Sequence, residues 1–100
     1  MNGRYILADD GRTPVPMSDF MTWAKWFEDD AKRRVGEDTI GDARVSTVFL
    51  ALNHSFGRGA PVLWETMIFG GTHNQYQERY STYDEAVTGH AKALALAQEK

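Results

Sequence analysis

The sequence predicts a single α+β domain in the order β-α-β-β-β-α, with an antiparallel sheet of three to four strands and two helices packed on it. Three observations predict this class: apolar residues at helical spacing between residues 20 and 31, two strand-like segments between residues 45 and 69, and a helix-capping signature at Thr82. The chain has 100 residues, and neither a linker nor a repeat divides it. We therefore treat residues 1–100 as one domain.

The N-terminal segment contains one short predicted strand, residues 4–7, followed by a turn at Asp10-Gly11. Residues 13–16 read Thr-Pro-Val-Pro. Proline lacks the amide proton that a central strand needs, so any strand there is restricted to the edge of a sheet.

The first predicted helix begins after Ser18, a suitable N-cap, and ends at Gly36, a suitable C-cap. Its apolar positions share one face: Phe20, Trp23, Ala24, Phe27 and Ala31. We expect this face to contact the core. Residues 37–43 are polar and include Gly41, which predicts a loop.

Two strands, about residues 45–53 and 62–69, form the predicted centre of the sheet, and a more exposed third strand covers residues 75–81. If the hairpin closes symmetrically, Leu50 lies opposite Glu65 and Val48 lies opposite Met67. The face that carries Glu65 is then the better core face, since it also carries Val48, Leu50, Leu52, Leu63, Met67 and Phe69. A one-residue slip of one strand would exchange the faces of that strand.

The second helix begins with a capping box formed by Thr82 and Glu85, three residues later. Its apolar stripe comprises Tyr83, Ala86, Val87, Leu94 and Ala97, and His90 lies near the middle of this stripe. Because the helix directly follows the sheet, we expect it to cover one sheet face.

Glu65 is the most informative residue, because a carboxylate on an apolar face needs a hydrogen-bonding partner or a function. The assumed register brings Tyr80 and His90 towards it. The favoured interpretation is that Tyr80 and His90 donate hydrogen bonds to Glu65 and tie the helix to the sheet. In the alternative, the cluster opens to a cleft and these three residues are candidates for acid–base catalysis. No catalytic set is predicted, since no nucleophile or second carboxylate stands at a diagnostic spacing.

Five residues are predicted to contribute to a binding surface. Trp26 lies about 120° from the main apolar face of its helix, where it either anchors an interface or folds over a neighbouring element. In the hairpin loop, Asn53, His54, Phe56 and Arg58 form a compact, partly aromatic surface at the ends of two strands. Loops in such places commonly carry binding residues.

Composition argues against several kinds of site. The chain has no cysteine, and His54 and His73 lie toward opposite ends of one predicted strand, so we expect neither a metal nor a cofactor. The net charge of −3 does not favour nucleic acid, and the acidic residues 28–30 neutralise the basic residues 32–34 that follow them. No segment has the apolar length of a membrane span or a signal peptide, so we expect no membrane association and a cytoplasmic location.

Three segments resemble small bacteriophage and prophage proteins that have no established activity: RYILADDGRTPVP, RVSTVFLALNHSFGRGAPVLWETMIFGG and RYSTYDEAVTGHAKAL. The resemblance covers roughly residues 41–94, including Glu65-Thr66-Met67 and Gly89-His90, and extends to the opening strand and the Trp-rich first helix. It implies a short phage gene product that works in the bacterial cytoplasm, and it implies no catalytic residue.

We therefore expect an accessory protein that acts by binding a host or phage protein, host-defence components included. The balance favours a non-enzymatic role. Two alternatives remain open: a small-molecule binder or enzyme that uses Glu65, Tyr80 and His90, and a homodimer that uses an exposed sheet face.

Overall fold

The predicted α+β class is confirmed by the computed structural model, which describes residues 3–55 and 59–99. These residues form a two-stranded sheet, a four-stranded antiparallel sheet and three helices. The elements in chain order are β1 (Tyr5–Leu7), β2 (Pro14–Pro16), α1 (Phe20–Phe27), α2 (Asp30–Arg33), β3 (Arg34–Ile40), β4 (Ala43–Phe49), β5 (Trp64–Phe69), β6 (Gln77–Tyr80) and α3 (Tyr83–Gln98). The larger sheet has the order β3-β4-β5-β6, so its neighbouring strands are consecutive in sequence.

The predicted first helix is two helices. Asp19, rather than Ser18, caps α1: its side chain accepts a hydrogen bond from the Thr22 amide at 3.0 Å. The helix ends at Phe27, and the Asp29 side chain then caps the short α2 by accepting from the Ala31 amide at 3.1 Å. The prediction of one helix that ends at Gly36 is wrong, because a short acidic side chain that caps a new helix competes with continuation of the old one.

The segment predicted as a loop, residues 37–43, contains most of an edge strand. β3 pairs antiparallel with β4, and Asp38 lies opposite Val45. Gly41 adopts φ +57° in the tight turn between the two strands, a conformation that glycine adopts readily. Gly36 therefore lies inside a strand and does not cap a helix.

The pairing between β4 and β5 differs from the predicted register by two residues. Val48, not Leu50, lies opposite Glu65, and Phe49 lies opposite Trp64. β4 ends at Phe49; beyond it Ala51 adopts φ +65° and Leu52 bridges to Arg4. A shift of two residues changes the cross-strand partners but preserves the alternation of side chains, so the residues of β4 and β5 divide between the two faces as predicted.

The two faces of the four-stranded sheet differ sharply in burial. The inner face is covered by α3 and buries Val45, Thr47, Phe49, Trp64, Thr66 and Ile68. The outer face carries half-buried or exposed residues: Ser46, Val48, Glu65, Met67 and Phe69. The prediction that the Glu65 face is the core face is therefore wrong. The covered face is the one that carries the two largest fully buried side chains, Trp64 and Phe49.

The predicted capping box of α3 is confirmed, with the Thr82 side chain and the Glu85 amide 3.1 Å apart. The helix presents the buried, small residues Ala86, Gly89 and Ala93, which allow it to approach the sheet closely. At one end of the inner face, α1 and β1 complete the core, where Trp23 Nε1 donates to the Ala51 carbonyl at 3.1 Å.

Candidate functional site

The predicted cluster of Glu65, Tyr80 and His90 is split between the two faces of the sheet. Glu65 lies on the outer face, where it accepts a hydrogen bond from Arg79 Nε at 2.8 Å and another from Gln77 Nε2. His90 lies on the inner face with Thr47, and Tyr80 is buried opposite Trp64. The predicted contact between Glu65 and His90 is therefore wrong. α3 covers the face opposite to the one that the apolar pattern favoured.

His90 instead belongs to a chain of polar side chains beneath α3, which we call the inner polar chain: Asp38, His90, Thr47 and Thr66. His90 Nε2 lies 2.8 Å from Asp38 Oδ2, and His90 Nδ1 lies 2.7 Å from Thr47 Oγ1. The hydroxyls of Thr47 and Thr66 are 2.5 Å apart. The chain links α3 to β3, β4 and β5, and so ties the helix to three strands.

One arrangement of protons satisfies the inner polar chain. In the tautomer that carries its proton on Nε2, His90 donates to the Asp38 carboxylate, which can only accept. Nδ1 then accepts from the Thr47 hydroxyl, and Thr47 accepts from Thr66. A buried hydroxyl without a hydrogen-bonding partner is costly. In this arrangement each threonine hydroxyl has a partner, which explains how two threonines are tolerated on an otherwise apolar face.

Gly36 makes room for the imidazole. A Cβ atom at position 36 would lie 2.9 Å from His90 Nε2, closer than real Cβ contacts permit. This explains a glycine within β3, where the residue otherwise weakens a strand.

The order carboxylate, imidazole, hydroxyl is that of a hydrolase triad, but the access is wrong for catalysis. Thr47 and Thr66 have no solvent exposure, so neither hydroxyl can reach a substrate. The Asp38 side chain is the member that solvent reaches most, with 53% of its area exposed. The inner polar chain is therefore suited to holding the fold together.

Tyr80 packs against the backbone of α3 at Gly89, where a Cβ atom would overlap the Tyr80 ring and hydroxyl. Burial raises the pKa of Tyr80, and the nearby Thr66 hydroxyl offsets part of that increase. The two hydroxyls are close, but they do not form a well-aligned hydrogen bond. Tyr80 thus stays neutral at physiological pH and fills space beneath the helix.

The structure places the predicted binding residues in different surroundings. Trp26 is half-buried and meets Phe49 edge to face, with 5.7 Å between ring centroids. The Asn53 side chain accepts hydrogen bonds from the amides of Ser55 and Val62, so it shapes its own loop. His54 is half-buried in that loop, and the predicted Phe56 and Arg58 lie outside the described residues.

An apolar surface at the N-terminal end of α1 was missed by sequence reasoning. We call it the α1 patch: Phe20, Met21 and Leu52, which are 55%, 72% and 40% exposed. Arg4 connects Phe20 with Leu52, since its guanidinium lies 5.5 Å from the Phe20 ring centroid and its backbone bridges to Leu52. Helical spacing predicts that Phe20 lies on the core face. The sequence feature that indicates this surface is Met21, a large apolar residue that follows Phe20 and lies off the predicted core face.

Across residues 3–55 and 59–99, no group of three or more His, Asp or Glu side chains is placed to hold a metal ion. Nor does that part of the chain contain a helix with the length and apolar character needed to cross a membrane. No protein-family model, curated protein or solved structure gives a match to this chain.

Proposed function

We propose that this chain is a small accessory protein that acts by binding another protein, and that the α1 patch is its contact surface. The observation that carries the proposal is the exposure of two adjacent large apolar side chains, Phe20 at 55% and Met21 at 72%. Apolar side chains that cluster on a surface favour protein contacts, whereas single exposed ones are common everywhere. The resemblance to phage proteins supports a host or phage protein as the partner.

The surroundings of the patch are also suited to contact. Beside Met21, a shallow groove of about 460 Å³ runs along α1 between Ala24, Lys25 and Glu28. On the other side of the patch, Leu52 leads into the loop at Asn53 and His54, which the sequence also nominates for binding. A partner that inserts an apolar side chain into the groove would bury Met21 and meet charges at the rim.

The alternative of an enzyme built on Glu65, Tyr80 and His90 loses its basis, because Glu65 lies on the opposite face of the sheet from the other two. The homodimer alternative would have a second copy cover an exposed face. It makes a different prediction in the experiment below.

Site-specific photo-crosslinking tests the proposal. A benzophenone side chain is placed at Met21 or, as a control, at Val87, which is 46% exposed on α3. Both proteins are irradiated in bacterial cells, with and without phage infection. We expect one discrete heterologous product from position 21 and none from position 87.

The purified partner then provides the quantitative test. Phe20→Ser and Met21→Ser should each weaken binding by about tenfold or more, as truncation of an interface anchor does. Val87→Ser should bind like the wild-type chain. No product at position 21, equal products at both positions, or a product with the mass of two copies would contradict the proposal.

A further inference from the structure

A cavity of about 520 Å³ lies at the other end of α1, between the β1–β2 connection, α2 and the first turn of α3. This volume is in the range of pockets that hold small molecules. We call it the basic cavity, after the four cationic residues among its lining: Arg12, Lys32, Arg33 and Arg34. It contains none of the residues of the α1 patch or the inner polar chain.

The charge of the basic cavity has the opposite sign to the net charge of the chain. Its four cations face two carboxylates, Asp9 and Asp10, whereas the whole chain has a formal net charge of −3. Cations gathered in a concave surface reinforce one another's field and raise the local concentration of anions. The local excess of positive charge therefore favours an anionic ligand.

Two of the arginines are held in place before any ligand arrives. The Arg33 guanidinium lies 4.1 Å from the centroid of the Phe27 ring, donates from Nε to the Phe27 carbonyl at 3.1 Å and pairs with Asp30 at 2.7 Å. The Arg12 guanidinium lies 5.2 Å from the centroid of the Tyr83 ring. An arginine that is already ordered loses less conformational entropy when it binds an anion.

Asp10 has a structural role in this loop. Its carboxylate accepts hydrogen bonds from the Arg12 amide at 2.8 Å, the Thr13 amide at 2.9 Å and the Thr13 hydroxyl at 2.6 Å. These bonds, led by that from the Thr13 side chain, lower the pKa of Asp10 to about 2. The loop that carries Arg12 is thus fixed by a carboxylate that stays ionised at neutral pH.

The remaining cations are less neutralised than the sequence suggests. Within the described part of the chain, Lys32 and Arg34 have no ion-pair partner. The expectation that residues 28–30 neutralise the cluster holds for Arg33 alone, since Asp29 is used to cap α2. Two cations therefore remain to balance a ligand with more than one negative charge.

We propose that the basic cavity binds a nucleoside phosphate. Arg12 and Arg33 contact the phosphate oxygens, Arg33 through the N–H groups that Phe27 and Asp30 leave free, and Lys32 and Arg34 supply the balancing positive charge. The base packs against Trp26, because Arg12 already covers a face of the other aromatic residue, Tyr83. Asp9 supplies a carboxylate that accepts hydrogen bonds from the sugar hydroxyls, which accounts for an acid in a cationic site.

Calorimetric titration of the full chain tests this assignment with ATP, AMP, adenosine and inorganic pyrophosphate as probes. We expect ATP to bind with a Kd of about 100 μM or tighter, and adenosine and pyrophosphate each to bind at least about tenfold more weakly. Raising the NaCl concentration should weaken ATP binding, because exposed cations are screened by salt.

Variants locate the site. Arg12→Gln and Lys32→Gln should each weaken ATP binding by about tenfold, the loss expected for one charge-assisted hydrogen bond. Both side chains are exposed, so the fold should survive; circular dichroism checks this. Arg44→Gln is the matched control, because Arg44 also lies over an aromatic ring, Phe69, and pairs with a carboxylate, Glu37, but at a distant position on the sheet.

Four results would overturn the assignment: no binding of ATP at about 1 mM, equal losses in the Arg12, Lys32 and Arg44 variants, binding of pyrophosphate as tight as that of ATP, or tighter binding of a single-stranded oligonucleotide than of ATP. The first two would reject the cavity as an anion site. The third would reject the role of Trp26, and the fourth would replace the mononucleotide with nucleic acid.

Discussion

The two faces of the four-stranded sheet each hold a carboxylate beside a nitrogen donor, yet the two arrangements have different consequences. On the outer face, Glu65 meets Arg79, whose side chain is 37% exposed. On the inner face, Asp38 meets His90, which leads to two threonine hydroxyls without solvent exposure. Solvent reaches Arg79 and Asp38, whereas Glu65 and His90 are largely covered, with 14% and 11% of their side-chain area exposed. Arg79 can therefore exchange Glu65 for water, whereas the buried threonine hydroxyls have no access to water. Burial of the neighbouring groups, more than the residue types in the pair, therefore determines how much a polar contact matters.

The helix that covers the sheet explains which face became the inner one. α3 approaches through Ala86, Gly89 and Ala93, and this surface of small residues leaves room for the bulky Trp64 and for Tyr80. The face that carries Glu65 offers no comparable bulk at its centre. Complementary size between helix and sheet thus outweighed the count of apolar residues on each face.

The largest effect is expected where α3 and the inner face are closest. Gly89→Ala would place a Cβ atom on the Tyr80 hydroxyl and ring. Alanine favours a helix over glycine by about 1 kcal/mol, but overpacking should exceed this gain and lower the free energy of unfolding by about 3 kcal/mol. Urea denaturation measures the change.

Thr88→Ala is the matched control for Gly89→Ala, because Thr88 is the exposed neighbour on the same helix. It should be neutral or slightly stabilising. Combining Gly89→Ala with Tyr80→Val should recover part of the loss, since the two sites are in contact. A neutral or stabilising Gly89→Ala would show that the helix can shift away from the sheet.

The second-largest loss of stability is expected in the inner polar chain. Thr47→Val keeps the shape of the side chain but removes the hydroxyl between His90 and Thr66, leaving both without that partner. Leaving buried polar groups unsatisfied should cost about 2 kcal/mol of unfolding free energy. Ser46→Ala, next to it on the outer face, should change the same measurement by less than about 0.5 kcal/mol.

A double variant sharpens that comparison. Thr47→Val with Thr66→Val removes both hydroxyls, so it should be less destabilised than the sum of the two single variants. Additive losses would mean that the two threonines act separately, and an effect at Ser46 as large as that at Thr47 would remove the distinction between the faces.

Local signals in the sequence predicted much of the fold. The capping box at Thr82 and Glu85 located α3, and alternation located β5 and β6, because these features are set by neighbours in sequence. β3 was missed since its centre, Glu37-Asp38-Thr39, is polar throughout, as an edge strand allows. The register of β4 was missed because a left-handed alanine, Ala51, ends the strand early, and nothing local indicates that conformation.

The candidate sites depended on contacts between distant residues, and these could not be predicted. His90 and Asp38 are separated by 52 positions, and the sequence predicts a loop at Asp38. The two threonines on the inner face were the available signal, since a hydroxyl among apolar neighbours needs a partner. The basic residues 32–34 are evident in the sequence, but only the fold brings them beside Arg12 and Trp26.

The smallest effect is expected for the pair that began as the most conspicuous feature of the sequence. Glu65→Gln removes the charge that faces Arg79 but keeps an acceptor, so the free energy of unfolding should fall by less than about 1 kcal/mol. The difference should shrink between about 50 mM and 500 mM NaCl, because solvent reaches Arg79 and salt screens such a charge. A cycle with Arg79→Gln isolates the coupling between the two side chains.

A loss of about 2 kcal/mol for Glu65→Gln, insensitive to salt, would equal that of Thr47→Val. It would mean that the outer face is excluded from water, and dependence of the loss on protein concentration would then identify a second copy as its cover.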